Sequence, residues 1–102
     1  MGCAIIGCGK SLPALAVAND DLTQLVDTSD EWIVSHTGIR ERRVLDRESV
    51  NDIGTLAARR ALENSGVKPE ELDMIIAATI SADTISPGLA GMVQNRLGAP
   101  CP

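Results

Sequence analysis

The stretch MIIAATI, Met74–Ile80, constrains this chain more than any other. It is apolar almost without interruption, and it lacks the alternation that suits a strand with one wet face. A continuous run of this length predicts a strand buried on both faces, as in the parallel sheet of an α/β layered fold. Such a strand needs neighbours. The other strand signal is CAIIGC, Cys3–Cys8, which runs into Gly9, Ser11 and Pro13 and reads as a strand feeding a loop. Two parallel strands with open edges make a poor fold. After the last helical pattern the chain ends at LGAPCP, where another strand is expected. The expectation is an α/β fold with a mostly parallel buried sheet, covering helices and a right-handed crossover, with residues 1–102 forming one truncated, incomplete domain.

The helix signals lie between and beside these runs. Asn19 is a good N-cap for a short helix over about residues 20–26. Thr28 or Ser29 can cap a second helix that carries Trp32 and Ile33 and ends at Gly38. Residues 39–45 are expected to be extended. The clearest helix spans residues 50–65, opened by Ser49 with Asp52 in the manner of a capping box and closed by Gly66, with Pro69 preventing continuation. Ile53, Gly54, Ala57, Ala58 and Ala61 share a face of small residues that allows close approach. Ser81–Thr84 reads as a loop. Ser86 as N-cap and Pro87 at the first helical position open a last helix that Gly98 closes.

Composition narrows the functional classes. A net charge of −5 argues against nucleic acid as the main partner. No apolar run approaches the roughly 18 residues of a membrane span, and the N-terminus has no signal-peptide pattern. Three cysteines, Cys3, Cys8 and Cys101, give an odd count without paired spacing, as expected for reduced thiols in a cytoplasmic protein.

Most chemical candidates carry a plain alternative. GCGK, residues 7–10, fits neither common phosphate-loop pattern and reads as a turn after a strand. Cys3 and Cys8 face opposite sides of a regular strand, so no metal site is expected there, and both read as small buried hydrophobes. His36 is either a surface helix residue or a base without an identifiable partner. Cys101 has no visible activating group. Asp27, Asp30 and Glu31 are paired carboxylates or first-turn acids that complement the helix dipole. Arg40, Arg42, Arg43 and Arg47 form either an anion-binding patch or a solvated face salted by Glu41, Asp46 and Glu48. Trp32, the sole aromatic residue, lies in the polar run VDTSDEWIVSHTGI, where a core role is unexpected.

Four stretches together carry a resemblance: IIGCGKSLP near the start, VDTSDEWIVSHTGIRERR at 26–43, AARRALENSGVKPEELDMIIAATIS at 57–81 and MVQNRLGA at 92–99. They closely resemble the N-terminal part of β-ketoacyl-acyl-carrier-protein synthase III, the condensing enzyme of thiolase fold that starts bacterial fatty-acid synthesis. The resemblance implies a homodimer that transfers an acyl group from coenzyme A to a cysteine of a Cys-His-Asn set. Condensation with malonyl-acyl-carrier protein then releases carbon dioxide. Acyl-coenzyme A is a substrate, and no prosthetic group is implied. Trp32 is expected to stack on the adenine at the mouth of the substrate tunnel, a platform suited to any base. Thr28 lies one helical turn earlier on the same side, nearby arginines offer an approach for phosphates, and Thr37 and Arg40 line the entrance.

Two residues depart from the family pattern. His36 stands where many members carry Arg, which implies weaker, pH-sensitive affinity for coenzyme A. Ser86, before Pro87, stands where many carry a Phe that shapes the partner's acyl pocket, which implies room for larger or branched primers. The family's nucleophile falls beyond Pro102, and Cys101 does not match it. The chain therefore has no catalytic residue of its own in this reading and is expected to be inactive alone. Competing readings are a condensing enzyme of secondary metabolism and a stand-alone module for coenzyme A binding or assembly.

Overall fold

Ser29 and Ser49 begin two helices whose ends the sequence marks clearly, and much of the architecture is arranged around them. The computed structural model describes residues 2–101; Met1 and Pro102 of the expected domain lie outside the described residues. The chain divides into two units, Leu12–Arg47 and Met1–Ser11 with Glu48–Pro102.

In the Leu12–Arg47 unit, strand β1 (Leu15–Ala18) pairs antiparallel with β2 (Glu41–Val44), Leu15 opposite Val44 and Ala18 opposite Glu41. The extended stretch expected at 39–45 is thus a strand, but its partner LAVA gave too short a signal to be expected. Helix α1 is Asn19–Leu22 rather than 20–26, and Ala18 occupies the cap. The Ala18 N–H donates to Asp21 Oδ2 at 2.9 Å, so the side chain of Asn19 is not needed for capping. It is buried instead, only 1% exposed. Its Nδ2 donates to Asp30 Oδ1 and to the Ile39 carbonyl, each at 2.8 Å, while its Oδ1 accepts from Arg42 Nη2 at 2.6 Å. One amide therefore joins α1, the first turn of helix α2 (Asp30–Thr37), the turn after it and β2. A buried amide is stable only when its groups are satisfied in this way.

The second unit is organised on helix α3, Val50–Ser65. The capping box forms in both directions, with Asp52 N–H to Ser49 Oγ at 3.1 Å and Ser49 N–H to Asp52 Oδ2 at 2.9 Å. Gly66 ends the helix at φ +74°, a conformation that favours glycine. The small-residue face has two partners. Gly54 meets Leu89 and Val93 of helix α4 (Leu89–Leu97), while Ala57, Ala61 and Ser65 meet Gly7 and Gly9. A methyl group added at Gly7 would lie 2.6 Å from Ser65 Cβ, and one at Gly9 would overlap the backbone at Ala57 and Ala61. GCGK is thus a helix-packing element, tied further by Cys8 N–H to Asn64 Oδ1 and Arg60 Nη1 to the Lys10 carbonyl. With the glycines on either side turned to the helix, Cys8 points away, and Cys3 and Cys8 are exposed rather than buried. Cys101 is buried, as are Val93 and Ala99.

Three expectations change in this unit. Among the described residues the only sheet is the β1–β2 ladder, so Cys3–Cys8 and Met74–Ile80 pair with no strand and form no parallel crossover. Composition told what Met74–Ile80 requires but not that a partner is at hand: Met74, Ile76 and Ile80 are exposed, while Ile75 and Ala77 are half-buried. The last helix starts at Leu89 with Gly88 at its cap, so Ser86 and Pro87 precede it and cap nothing. The loop at Ser81–Thr84 has a defined anchor, because Asp83 accepts the N–H groups of Val50 at 3.0 Å and Asn51 at 2.8 Å, at the α3 N-terminus.

These contacts set a pH dependence. The Asn51 and then the Val50 N–H hold the Asp83 carboxyl below its ordinary value, and the Ser49 N–H and then Arg96, at 2.7 Å, do the same for Asp52. Both groups are more acidic folded than unfolded. Their stabilisation is therefore complete above the ordinary carboxylate value of about 3.9 and vanishes as pH falls through the lower folded values. The melting temperature is expected to be level down to about pH 5 and to drop below about pH 4. A variant carrying Asp52→Asn and Asp83→Asn should start lower and drop less steeply. Parallel curves for the two proteins would refute this assignment.

Candidate functional site

The choice between Thr28 and Ser29 as the α2 cap is resolved in favour of Ser29, whose Oγ accepts the Trp32 N–H at 3.1 Å. Thr28 is left half-buried with its side chain outside the cap. Successive helical residues diverge by about 100°. Ile33 consequently turns inward to 9% exposure while Trp32 turns outward, 55% exposed. Beside the indole is an open cavity of about 330 Å³ lined by Asp27, Thr28, Ser29 and Trp32.

A second contact of the indole is formed within the same helix. The His36 ring stacks on Trp32 with centroids 4.1 Å apart and planes 19° from parallel. Its Nδ1 lies 2.8 Å from the Trp32 carbonyl. A carbonyl can only accept, so Nδ1 carries the hydrogen and, in the neutral ring, Nε2 keeps the lone pair. The Ser35 hydroxyl donates to the same carbonyl at 2.9 Å.

Thr28, Trp32 and His36 thus come together, and the remaining expected residues divide. Thr37 does not line an entrance with a free hydroxyl: its Oγ1 donates to the Ile33 carbonyl at 2.7 Å and accepts the Ile39 N–H at 3.1 Å. Arg40 is exposed, and its side chain has no hydrogen bond among the described residues. Two of the four arginines of the basic run work internally. Arg42 donates to the Val17 carbonyl and Asn19, and Arg43 to the Pro13 carbonyl, with Glu41 3.8 Å away. Of these four, Arg40 and Arg47 are the ones whose side chains make no hydrogen bond or ion pair among the described residues. Of the three acids Asp27, Asp30 and Glu31, Asp30 and Glu31 stand in the first turn of α2, and Asp30 accepts from Asn19, a structural role. Asp27 is in the cavity wall, where its carboxylate would repel an anionic group placed nearby.

Ser86 and Pro87 lie in the other unit, both exposed. A second cavity of about 340 Å³ is lined there by residues that include Ile80, Ile85, Gly88 and Leu89, but by neither Ser86 nor Pro87. No group of three or more His, Cys, Asp or Glu suited to a metal occurs among the described residues. No helix among them is long and apolar enough to cross a membrane.

No family model matches the chain. It is 52% identical over 95 residues to β-ketoacyl-[acyl-carrier-protein] synthase III of Clostridium acetobutylicum, covering 93% of this chain and 29% of that protein. The crystal structure of 3-oxoacyl-[acyl-carrier-protein] synthase III from Aquifex aeolicus VF5 superposes with a TM-score of 0.92 at 45% identity, over 97% of this chain and 32% of that one. The priming β-ketosynthase of the R1128 polyketide biosynthetic pathway superposes with a TM-score of 0.88 at 35% identity, over 94% and 29%. The chain therefore spans about three-tenths of the length of these relatives, and its architecture is that of the corresponding part of their thiolase-like fold.

Proposed function

We propose that this chain, similar as it is to part of β-ketoacyl-acyl-carrier-protein synthase III, supplies part of the coenzyme A entrance of such a condensing enzyme. The parent activity is acyl transfer from acyl-coenzyme A and condensation with malonyl-acyl-carrier protein, in a cytoplasmic homodimer without a prosthetic group. One observation carries this reading: the single indole stands exposed beside a cavity walled by Thr28, Ser29 and Asp27 instead of being buried. An exposed aromatic plane on a rigid helix is a platform for a purine. Thr28 offers a hydroxyl to the ring edge, and Arg40 offers an unpaired cation for a phosphate.

Titration of the chain with coenzyme A should quench Trp32 emission, and pantetheine, which lacks adenine, should not. Stacking worth about 1–3 kcal/mol makes Trp32→Ala roughly 5- to 150-fold weaker in coenzyme A binding, measured by calorimetry. Equal response to the two ligands would refute the adenine platform. The likeness to a polyketide priming ketosynthase supports a second reading, a condensing enzyme of secondary metabolism. Under either reading, Ser86 with Pro87 belongs to the acyl-pocket and dimer surface. Its small side chain, where many members of that family carry Phe, would then leave room for bulky primers.

A further inference from the structure

An indole has two faces, and here one of them is already occupied. Trp32 and His36 are four residues apart on α2 and so share a face of it, while Thr28, before the extended Ser29 cap, lines the same cavity as the indole. The cavity residues Asp27, Thr28 and Ser29 precede Trp32, and the imidazole follows it. At 4.1 Å and 19° the imidazole covers an indole face as a ligand ring would. It is held there by more than the stack. The Nδ1–H bond to the Trp32 carbonyl fixes ring orientation, and Ser35 Oγ lies 3.1 Å from the same nitrogen.

We propose that His36 is a positioning residue: it closes one face of Trp32 and holds the ring, so that a purine can stack on the remaining face only. This rests on the reading of Trp32 as the adenine platform. It gives His36 a part different from that of a direct contact with coenzyme A. A clamped indole is ordered before the ligand arrives, so less rotamer freedom is lost on binding. A ring closed on one face also sets a single orientation for the adenine and for the phosphates that follow it.

The test needs no partner protein, because Trp32 is the only fluorophore in a chain without Tyr or Phe. Lifetime-corrected acrylamide quenching is measured on the wild type, His36→Ala and His36→Phe, followed by titration with coenzyme A. Opening the second face in His36→Ala should raise the quenching rate roughly 1.5- to 2-fold and weaken coenzyme A binding roughly 3- to 10-fold. His36→Phe, which keeps a flat ring but loses the nitrogen, should stay near wild type in both. A loss of helix alone would not be rescued by Phe. Equal quenching rates in the three proteins, or equal affinities, overturn the proposal. If shielding is found but the wild type does not bind coenzyme A, the platform reading fails while the clamping of Trp32 by His36 stands.

Discussion

Asn19→Ala is expected to cost about 2–4 kcal/mol, the largest loss from any single side chain in the Leu12–Arg47 unit. The substitution removes three hydrogen bonds from a residue that is 1% exposed. It also takes a partner from the Asp30 carboxylate and the Ile39 carbonyl, and it leaves Arg42 with the Val17 carbonyl alone. Leaving such groups unsatisfied costs more than the bonds themselves contribute. Asn19→Asp is the informative companion. It keeps an acceptor for Arg42 but loses both donors and faces Asp30 with a second carboxylate, so it too should be destabilising. Urea unfolding followed by Trp32 emission reads the same unit directly. A loss below about 0.5 kcal/mol for Asn19→Ala, within the range of ordinary surface changes, would show that the amide is not a junction.

Gly9→Ala is the second large effect, for a steric reason. The new methyl would overlap the α3 backbone at Ala57 and Ala61, and main-chain atoms inside a helix cannot rotate aside. The two segments must separate, which costs about 1–3 kcal/mol or more. Gly7→Ala meets Ser65 Cβ at 2.6 Å and the Ala61 carbonyl at 2.9 Å and should follow closely. Gly2→Ala meets nothing within 4 Å and serves as the control, expected within about 0.5 kcal/mol of wild type. Thermal unfolding of the three variants decides the matter; equal midpoints for Gly9→Ala and Gly2→Ala would contradict close packing of GCGK on α3.

What could be read from the sequence was local in origin. Ser49, Asp52 and Gly66 bound α3 at the residues expected, and Gly38 and Gly98 end α2 and α4, because a cap acts within a few residues of its helix. Long-range partnerships were not legible. Nothing near LAVA announces that Leu15 will face Val44, and Asn19 looked like a cap because its short-range preference is for caps. GCGK matched no ligand motif, and its packing role depends on a helix about 50 residues away. At the site, Trp32 and Thr28, which the motif names, line one cavity. The hydrogen bonds of Thr37, Arg42 and Arg43 were not legible, because a polar side chain shows its chemistry in sequence but not whether the backbone has already claimed it. The stack of His36 on Trp32 was implicit in their spacing of four.

The clasp between Asp83 and the start of α3 also bears on how the chain is made. A polypeptide is synthesised from its N-terminus, so Ser49 and Asp52 can cap α3 as soon as that segment is free to coil. The N–H groups of Val50 and Asn51 have no such early acceptor; theirs arrives 33 and 32 residues later. Until Asp83 is added, the first turn of the longest helix is held only by its local box and is open to water. Completion of that turn therefore reports that the nascent chain has passed Asp83, and closing the long intervening loop is the step that ends its fraying.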